Sequence, residues 1–389
     1  MKIVIAPDSF KESLSAVSVA ACIEKGFREI FPDADYVTLP LADGGEGTVD
    51  VLLQGLVGPK RTHQVEGPLG ELVHADWAML EPSAQSSNKT ALIEIAAASG
   101  LDLLTPELRD PLIASSFGTG QLILEAIVQG AQTIILGLGG SATNDGGAGI
   151  VQALGGRLLD DNGQELGRGG AALAELASID LTRLDSRCAD VELIVACDVD
   201  NPLCGDNGAS YIFGPQKGAT PEQVLLLDKT LANFAQVSES QGFVGGDESV
   251  YKRTGYGAAG GTPMGLSLLF NMQIKPGIEM VLDGLQADEI LKGADLVITG
   301  EGQMDNQTLQ GKTPYGIAKR ASLQGIPTIG IAGSLGTEVE ALYGEMSSLF
   351  GTVRSPQSLD QVLLEAEKNL TRTARNIAAT LKLGRKILD

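Results

Sequence analysis

The chain has 389 residues, with 28 lysines and arginines against 49 aspartates and glutamates, a formal net charge of −21. That balance argues against nucleic acid, whose binding needs a basic face, and no apolar run approaches the roughly 20 residues of a membrane span. The length predicts about two domains. Its 50 glycines, in a chain 43% hydrophobic and 20% charged, place the glycine excess in turns and ligand loops rather than in low complexity.

Pro7 and Asp8 stand where a signal peptide needs its apolar core, so a soluble cytoplasmic protein is expected. Cys22, Cys188, Cys197 and Cys204 form no CxxC pair and read as reduced thiols. With only His63 and His74, neither a Ser-His-Asp triad nor a His-ligated metal centre is expected. The acidic field would repel an anionic substrate. Backbone N–H groups, a few placed lysines or arginines and a divalent cation must then supply local positive charge.

In chain order, residues 2–6 read as a strand, and Ser15 as the N-cap of a helix carrying Val19, Ile23 and Phe27 on one stripe. A strand over 36–41 and a short helix to about Leu56 complete a β-α-β-α start, the signature of a parallel sheet. Residues 60–80 alternate about Gly67-Pro68-Leu69-Gly70 as a hairpin, and 90–97 read as a strand. A helix opens after Ser115-Ser116 and closes at Gly130. The strand 133–136 then feeds a loop with six glycines between Gly137 and Gly149, ahead of a helix over 150–154.

The strand 191–196 leads to Cys197-Asp198-Val199-Asp200-Asn201, and Thr220-Pro221-Glu222-Gln223 is a capping box that starts a helix to about Val237. Helix is expected again over 264–270. From about residue 278 the βα rhythm returns, with strands over 295–299, 328–332 and 349–353 and a long C-terminal helix capped at Ser358. The simplest topology is one α/β domain built from 1–58 and 278–389, with a mixed α/β domain inserted over 59–277.

Two patterns point to chemistry. The glycine loop lets backbone N–H groups approach an anion, and the helix after it adds partial positive charge. Second, Asp8, Asp43, Asp198 and Glu301 each follow a strand within a few residues, two of them with a further acid nearby, Glu46 and Asp305. Acids at the carboxyl ends of parallel strands suit a hard cation or a general base. Lys11, Lys217 and Lys312 are the lysines beside such loops.

Gly311-Lys312-Thr313 lacks the first glycine of a P-loop, and Gly255–Gly260 spells GxGxxG without a strand before it. Gly137–Ala142 spells GxGxxA after a strand, but Thr143–Gly147 intervene before a helix can begin. The residues alone therefore describe a two-domain enzyme for a phosphorylated or anionic ligand, with Mg²⁺. A nucleotide-dependent dehydrogenase and a non-catalytic small-anion sensor stay open.

The same stretches resemble the type 1 glycerate kinase family: PDSFKESLSA at 7–16, ADGGEGT at 42–48, GGSATNDGGAG at 139–149, ACDVDNPLCGDNGA at 196–209, FGPQKGA at 213–219, GAAGG at 257–261, VITGEG at 297–302 and ARNIAATL at 374–381. The resemblance covers essentially the whole chain. It implies a flavodoxin-like parallel-sheet domain with a second mixed α/β domain inserted, and ATP-dependent phosphorylation of glycerate to 2-phosphoglycerate in the cleft between them. The chain departs from the family pattern at Tyr256, Gln303 and Met304.

Under that activity the residues divide by role. Gly139, Gly140, Ser141, Thr143, Asn144, Asp145 and Gly146 are expected at the ATP phosphates, with Lys217 and Glu301. Asp43, Glu46 and Asp198 are expected at Mg²⁺, with Asp43 and Asp198 also the candidate bases and Lys11 neutralising charge on the transferred group. Asp8, Ser9, Arg109 and Asn201 are expected at glycerate. Neither nucleic acid nor membrane is expected as a partner, and the oligomeric state stays open.

Overall fold

The computed structural model describes residues 1–11, 13–42, 60–80, 88–244, 249–306, 308–310 and 312–388. Asp43, Glu46, the short helix to about Leu56 and the first domain boundary near residue 58 all lie outside the described residues. The chain packs as two compact units: Met1–Asp43 with Ile278–Asp389 (unit 1), and Gly44–Gly277 (unit 2).

Unit 1 begins with β1 (Lys2–Ile5), α1 (Ala16–Arg28) and β2 (Asp35–Thr38). Ser15 caps α1, its Oγ accepting from the Ser18 N–H at 3.2 Å. The helix buries Val19, Ile23 and Phe27, the stripe written in its sequence. β2 stops three residues short of Leu41, although the Leu39 and Leu41 N–H groups still reach the Ile5 and Pro7 carbonyls at 2.8 and 2.9 Å.

The first described element of unit 2 is a hairpin, β3 (Lys60–Glu66) and β4 (Leu72–Leu80), its turn closed by the Gly67 N–H on the Glu71 carbonyl at 2.6 Å. β5 (Thr90–Glu94) passes directly into α2 (Ile95–Ser99). The strand expected as far as Ala97 thus ends at Glu94, since a short apolar run does not tell strand from buried helix. Then follow α3 (Phe117–Val128), β6 (Thr133–Gly137), α4 (Ala148–Ala153), the small β7 (Arg157–Leu159) and β8 (Ser178–Asp180) pair, and β9 (Glu192–Ala196).

After β9 come α5 (Ala209–Phe213), α6 (Pro221–Ser240), α7 (Ala258–Leu266) and β10 (Asn271–Lys275). The capping box at Thr220 forms in both directions. α7 begins earlier than expected and is interrupted at Ala259, Gly260 and Gly261, all at positive φ. The main sheet runs β10-β9-β6-β5-β4-β3, parallel from β10 to β5 and antiparallel beyond. Trp77, Ile93, Leu136 and Val195 lie in its core.

The chain returns through α8 (Gly277–Gly284) and α9 (Ala287–Leu291) to β11 (Leu296–Met304), α10 (Thr313–Leu323), β12 (Thr328–Leu335), β13 (Ser348–Gly351), α11 (Leu359–Leu364) and α12 (Ala366–Leu388). Unit 1's sheet is wholly parallel, in the order β13-β12-β11-β1-β2. Counted within the unit this is 2-1-3-4-5, the flavodoxin-like order, whose switch point lies between β1 and β11. The fold is therefore a flavodoxin-like parallel sheet joined to a second, mixed α/β unit.

β11 is longer than the sequence suggested. It carries on through Gly300-Glu301-Gly302 because that stretch stays paired with β12, Glu301 opposite Ala332 and Met304 opposite Leu335. α1 and α12 close over one face of the sheet, with Ile3, Ile5, Ile23, Phe27, Leu370 and Ile377 in one core. Among the described residues no helix is long and apolar enough to cross a membrane.

Candidate functional site

In unit 2 the glycine loop leaves the carboxyl end of β6. Only Gly139 and Gly140 are exposed, and residues 141–150 are all buried. The loop is anchored by its own polar side chains. Asp145 accepts from the Ser116 N–H at 2.8 Å, the Ser116 hydroxyl at 2.9 Å, and the N–H groups of Gly147 and Gly149 at 3.1 and 3.2 Å. One carboxylate thus serves the N-terminal ends of both α3 and α4, the positions where a helix favours negative charge. Burial pushes the Asp145 carboxyl up, against those donated hydrogen bonds.

Lys217 is 2% exposed. Its Nζ donates to the Thr143 carbonyl at 2.6 Å and to Ser141 Oγ at 3.0 Å. Burial pushes the ammonium down to about 7, with Asp145 opposing. The Asn144 amide donates to Ser210 Oγ at 2.9 Å. Thr143 Oγ1 and Asn144 Oδ1 are buried without a hydrogen-bond partner. The interrupted start of α7 packs on this loop, with the Gly146 N–H on the Gly260 carbonyl at 3.0 Å and the Gly265 N–H on the Gly146 carbonyl at 2.8 Å.

Asp198 is exposed just beyond β9, and its Oδ1 accepts from the Gly277 N–H at 2.8 Å. Asn201 folds its own loop, donating to the Asn207 carbonyl while its carbonyl accepts from Gly257, both at 2.8 Å. Arg109 reaches the Gln216 carbonyl at 3.3 Å, next to Lys217, and its Nε is buried without a partner.

In unit 1 a cavity of about 580 Å³ opens at the carboxyl ends of β1, β11, β12 and β13. Asp8, Ser9, Lys11, Glu301 and Lys312 line it. Asp8 is held by the Ser9 N–H at 2.5 Å and by Thr313 Oγ1, from the first residue of α10, at 2.7 Å. Glu301 is buried and accepts from Thr308 Oγ1 at 2.7 Å. Burial, reinforced by Asp8 and Asp305, pushes its carboxyl up to about 7, with the Thr308 hydrogen bond and Lys312 opposing.

The structure thus gathers Asp8, Ser9, Lys11 and Glu301 at one cavity. It gathers Ser141, Thr143 and Asn144 with Lys217 at another place in the fold, and Arg109 beside Lys217. Asp145 is wholly buried, its carboxylate on the N–H groups of Ser116, Gly147 and Gly149. The sequence did not single out the apolar residues of the unit 1 cavity, Val353, Val362 and Leu363. They stand far from any motif, and only the sheet order brings them beside Asp8.

Comparison with known proteins agrees with this architecture. The family model described as "Glycerate kinase family" matches residues 3–382. The chain is 51% identical over 385 residues to a glycerate 2-kinase of Escherichia coli, covering 99% of each, and 51% identical over 389 residues to a glycerate kinase of Bacillus subtilis, again covering 99% of each. It is also similar to the crystal structure of a putative glycerate kinase 2 from Salmonella typhimurium, with a TM-score of 0.86 and 49% identity over 99% of both chains. A whole-chain family match, relatives at half identity and a shared fold lead to one conclusion: the chain belongs to the glycerate kinase family.

Proposed function

We propose that the protein phosphorylates D-glycerate with ATP and releases 2-phosphoglycerate and ADP. The observation that carries this reading is the full-length likeness to glycerate kinases at half identity. In the reaction the C2 hydroxyl oxygen of glycerate forms a bond to the γ-phosphorus. The bond from that phosphorus to the β–γ bridging oxygen breaks, ADP leaves, and the hydroxyl proton passes to a carboxylate.

Phosphoryl transfer asks a protein chiefly for positioning and neutralised charge. Asp198, exposed at a strand end, suits the proton acceptor, with Asp43 as the alternative outside the described residues. The exposed Gly139–Gly140 edge, stiffened from behind by Lys217, suits phosphate oxygens. Arg109 and Asn201 suit the glycerate carboxylate and hydroxyls, and Lys11 the charge developing on the transferred group.

Asp198 offers the hard oxygen that Mg²⁺ takes, and a nucleotide-bound Mg²⁺ needs only one or two protein carboxylates. It therefore fits as one ligand when Asp43 takes the proton, and Asp43 and Glu46 are the ligand candidates when Asp198 takes it. Bound Mg²⁺ would offset charge on the β- and γ-phosphates.

The test is ³¹P NMR of the purified protein with Mg-ATP and D-glycerate. A new phosphomonoester signal coupled to one proton supports 2-phosphoglycerate. Coupling to two protons would move the transfer to the 3-hydroxyl, and intact ATP would end the kinase reading. Asp198→Asn and Lys11→Ala test the roles: each should lower kcat by orders of magnitude, and a change confined to KM would leave only uniform binding.

A further inference from the structure

The cavity of unit 1 joins two kinds of surface. The strand ends supply Asp8, Ser9, Lys11, Glu301 and Lys312. The chain after β13, through α11 to the start of α12, supplies Val353, Leu359, Val362, Leu363 and Ala366. Leu359 and Val353 stay 67% and 40% exposed there, apolar surface that unit 1 itself does not cover. Gln357 lies on the same wall, and its Oε1 is buried without a hydrogen-bond partner.

A small hydroxy acid is a poor match for this space. Glycerate is polar on every side and has no face to lay against an apolar wall. At about 580 Å³ the cavity falls in the range of sites for larger ligands, roughly 300–1,000 Å³. It also lies outside the carboxyl ends of β1 and β11, the switch point of the sheet, where open parallel sheets bind their ligands.

We propose that this cavity holds the nucleoside end of the nucleotide, with the base on the Val353–Leu363 wall and the phosphates on the side of Lys11 and Lys312. The flat apolar base covers the surface that unit 1 leaves exposed. An exocyclic amine on that base gives Gln357 Oε1 its missing donor, which favours an aminopurine. The lysines meet phosphate as point charges. Asp8 and Ser9 then belong to the nucleotide rather than to glycerate. The identity of the nucleotide rests on the kinase reading above.

The test uses the full-length protein, calorimetric titration with ADP, and steady-state kinetics. Val362→Trp fills the apolar side. It should weaken ADP binding and raise KM for ATP by about tenfold or more, with KM for glycerate and the melting temperature near wild type. Gln357→Leu removes the acceptor at a partly exposed position and should shift the same two constants in the same direction, so the test survives if the tryptophan variant does not fold. Wild-type ADP affinity in a folded Val362→Trp, or a rise confined to KM for glycerate, overturns the proposal while the kinase reading stands. Absence of ADP binding and of ATP turnover in the wild-type protein overturns both.

Discussion

Lys217 Nζ lies 2.6 Å from the carbonyl oxygen of Thr143, inside unit 2 and almost wholly out of water. A lysine in that position holds the glycine loop by its backbone and must do so at the cost of a desolvated charge. Its ammonium titrates near 7 in the folded protein, against 10.5 for the free side chain. Between those values the unfolded chain binds more protons than the folded one, so the folded state gains stability with rising pH. Relative to Lys217→Met, the wild type should become more stable as pH climbs from about 7 to about 10, and the difference should be level below about 7. Urea midpoints of both proteins across that span check this, and a difference that falls with pH contradicts it.

Asp145 accepts four hydrogen bonds and serves two helix ends. Asp145→Ala leaves the N–H groups of Ser116 and Gly149 buried with no acceptor. The expected loss is about 3 kcal/mol, the scale of a broken buried network. Urea unfolding followed by circular dichroism reads it. A loss under about 1 kcal/mol would show that the loop keeps its shape without the carboxylate.

Glu301 runs in the opposite sense to Lys217. Its carboxyl titrates near 7 when folded and near 4.5 when free. The folded state holds the extra proton between those values, so its contribution is fully present below about 4.5 and is lost as pH rises to about 7. The melting temperature of the wild type relative to Glu301→Gln should therefore fall across that window and level off above it. Thr308→Val, which removes a hydrogen bond that lowers the value, should carry the window to higher pH.

Gly260 sits at a φ of +66°, and a Cβ there would collide with the Thr143 carbonyl oxygen. Gly260→Ala should cost at least about 2 kcal/mol through left-handed strain and displacement of the loop. It should also lower kcat, whereas Gly163→Ala, at a positive φ with open space around it, should affect stability alone. Equal kcat for the two variants would detach the Gly260 contact from function.

Much of the fold was written in short-range signals. The Ser15 cap, the Thr220 capping box and the turn at Gly67–Gly70 each depend on neighbours a few residues away, and each forms as its sequence suggests. The errors came where distant partners decide. Gly300-Glu301-Gly302 stands beyond the strand expected over 295–299, and only pairing with β12 keeps it in the sheet. Residues 95–97 read as strand until the chain turns into α2.

The site divides along the same line. The Asp8–Lys11 turn and the glycine loop were visible because polar residues and glycines cluster in sequence. That Asp145 faces inward, and that an apolar wall built near residue 360 meets Asp8, depends on strand order, which no local pattern records.

The parallel sheet of unit 1 also sets an order of assembly. β1, α1 and β2 are made first, yet β1 finds its second neighbour only when Leu296–Met304 has been made. Unit 2 is one continuous stretch in between, so during synthesis it can be folded while the first strand still has an open flank. Ile3, Ile5, Ile23 and Phe27, all fully buried in the finished protein, spend that interval without α12 to cover them. For this protein, the hazardous moment in the cell is the delay before its own C-terminal third arrives.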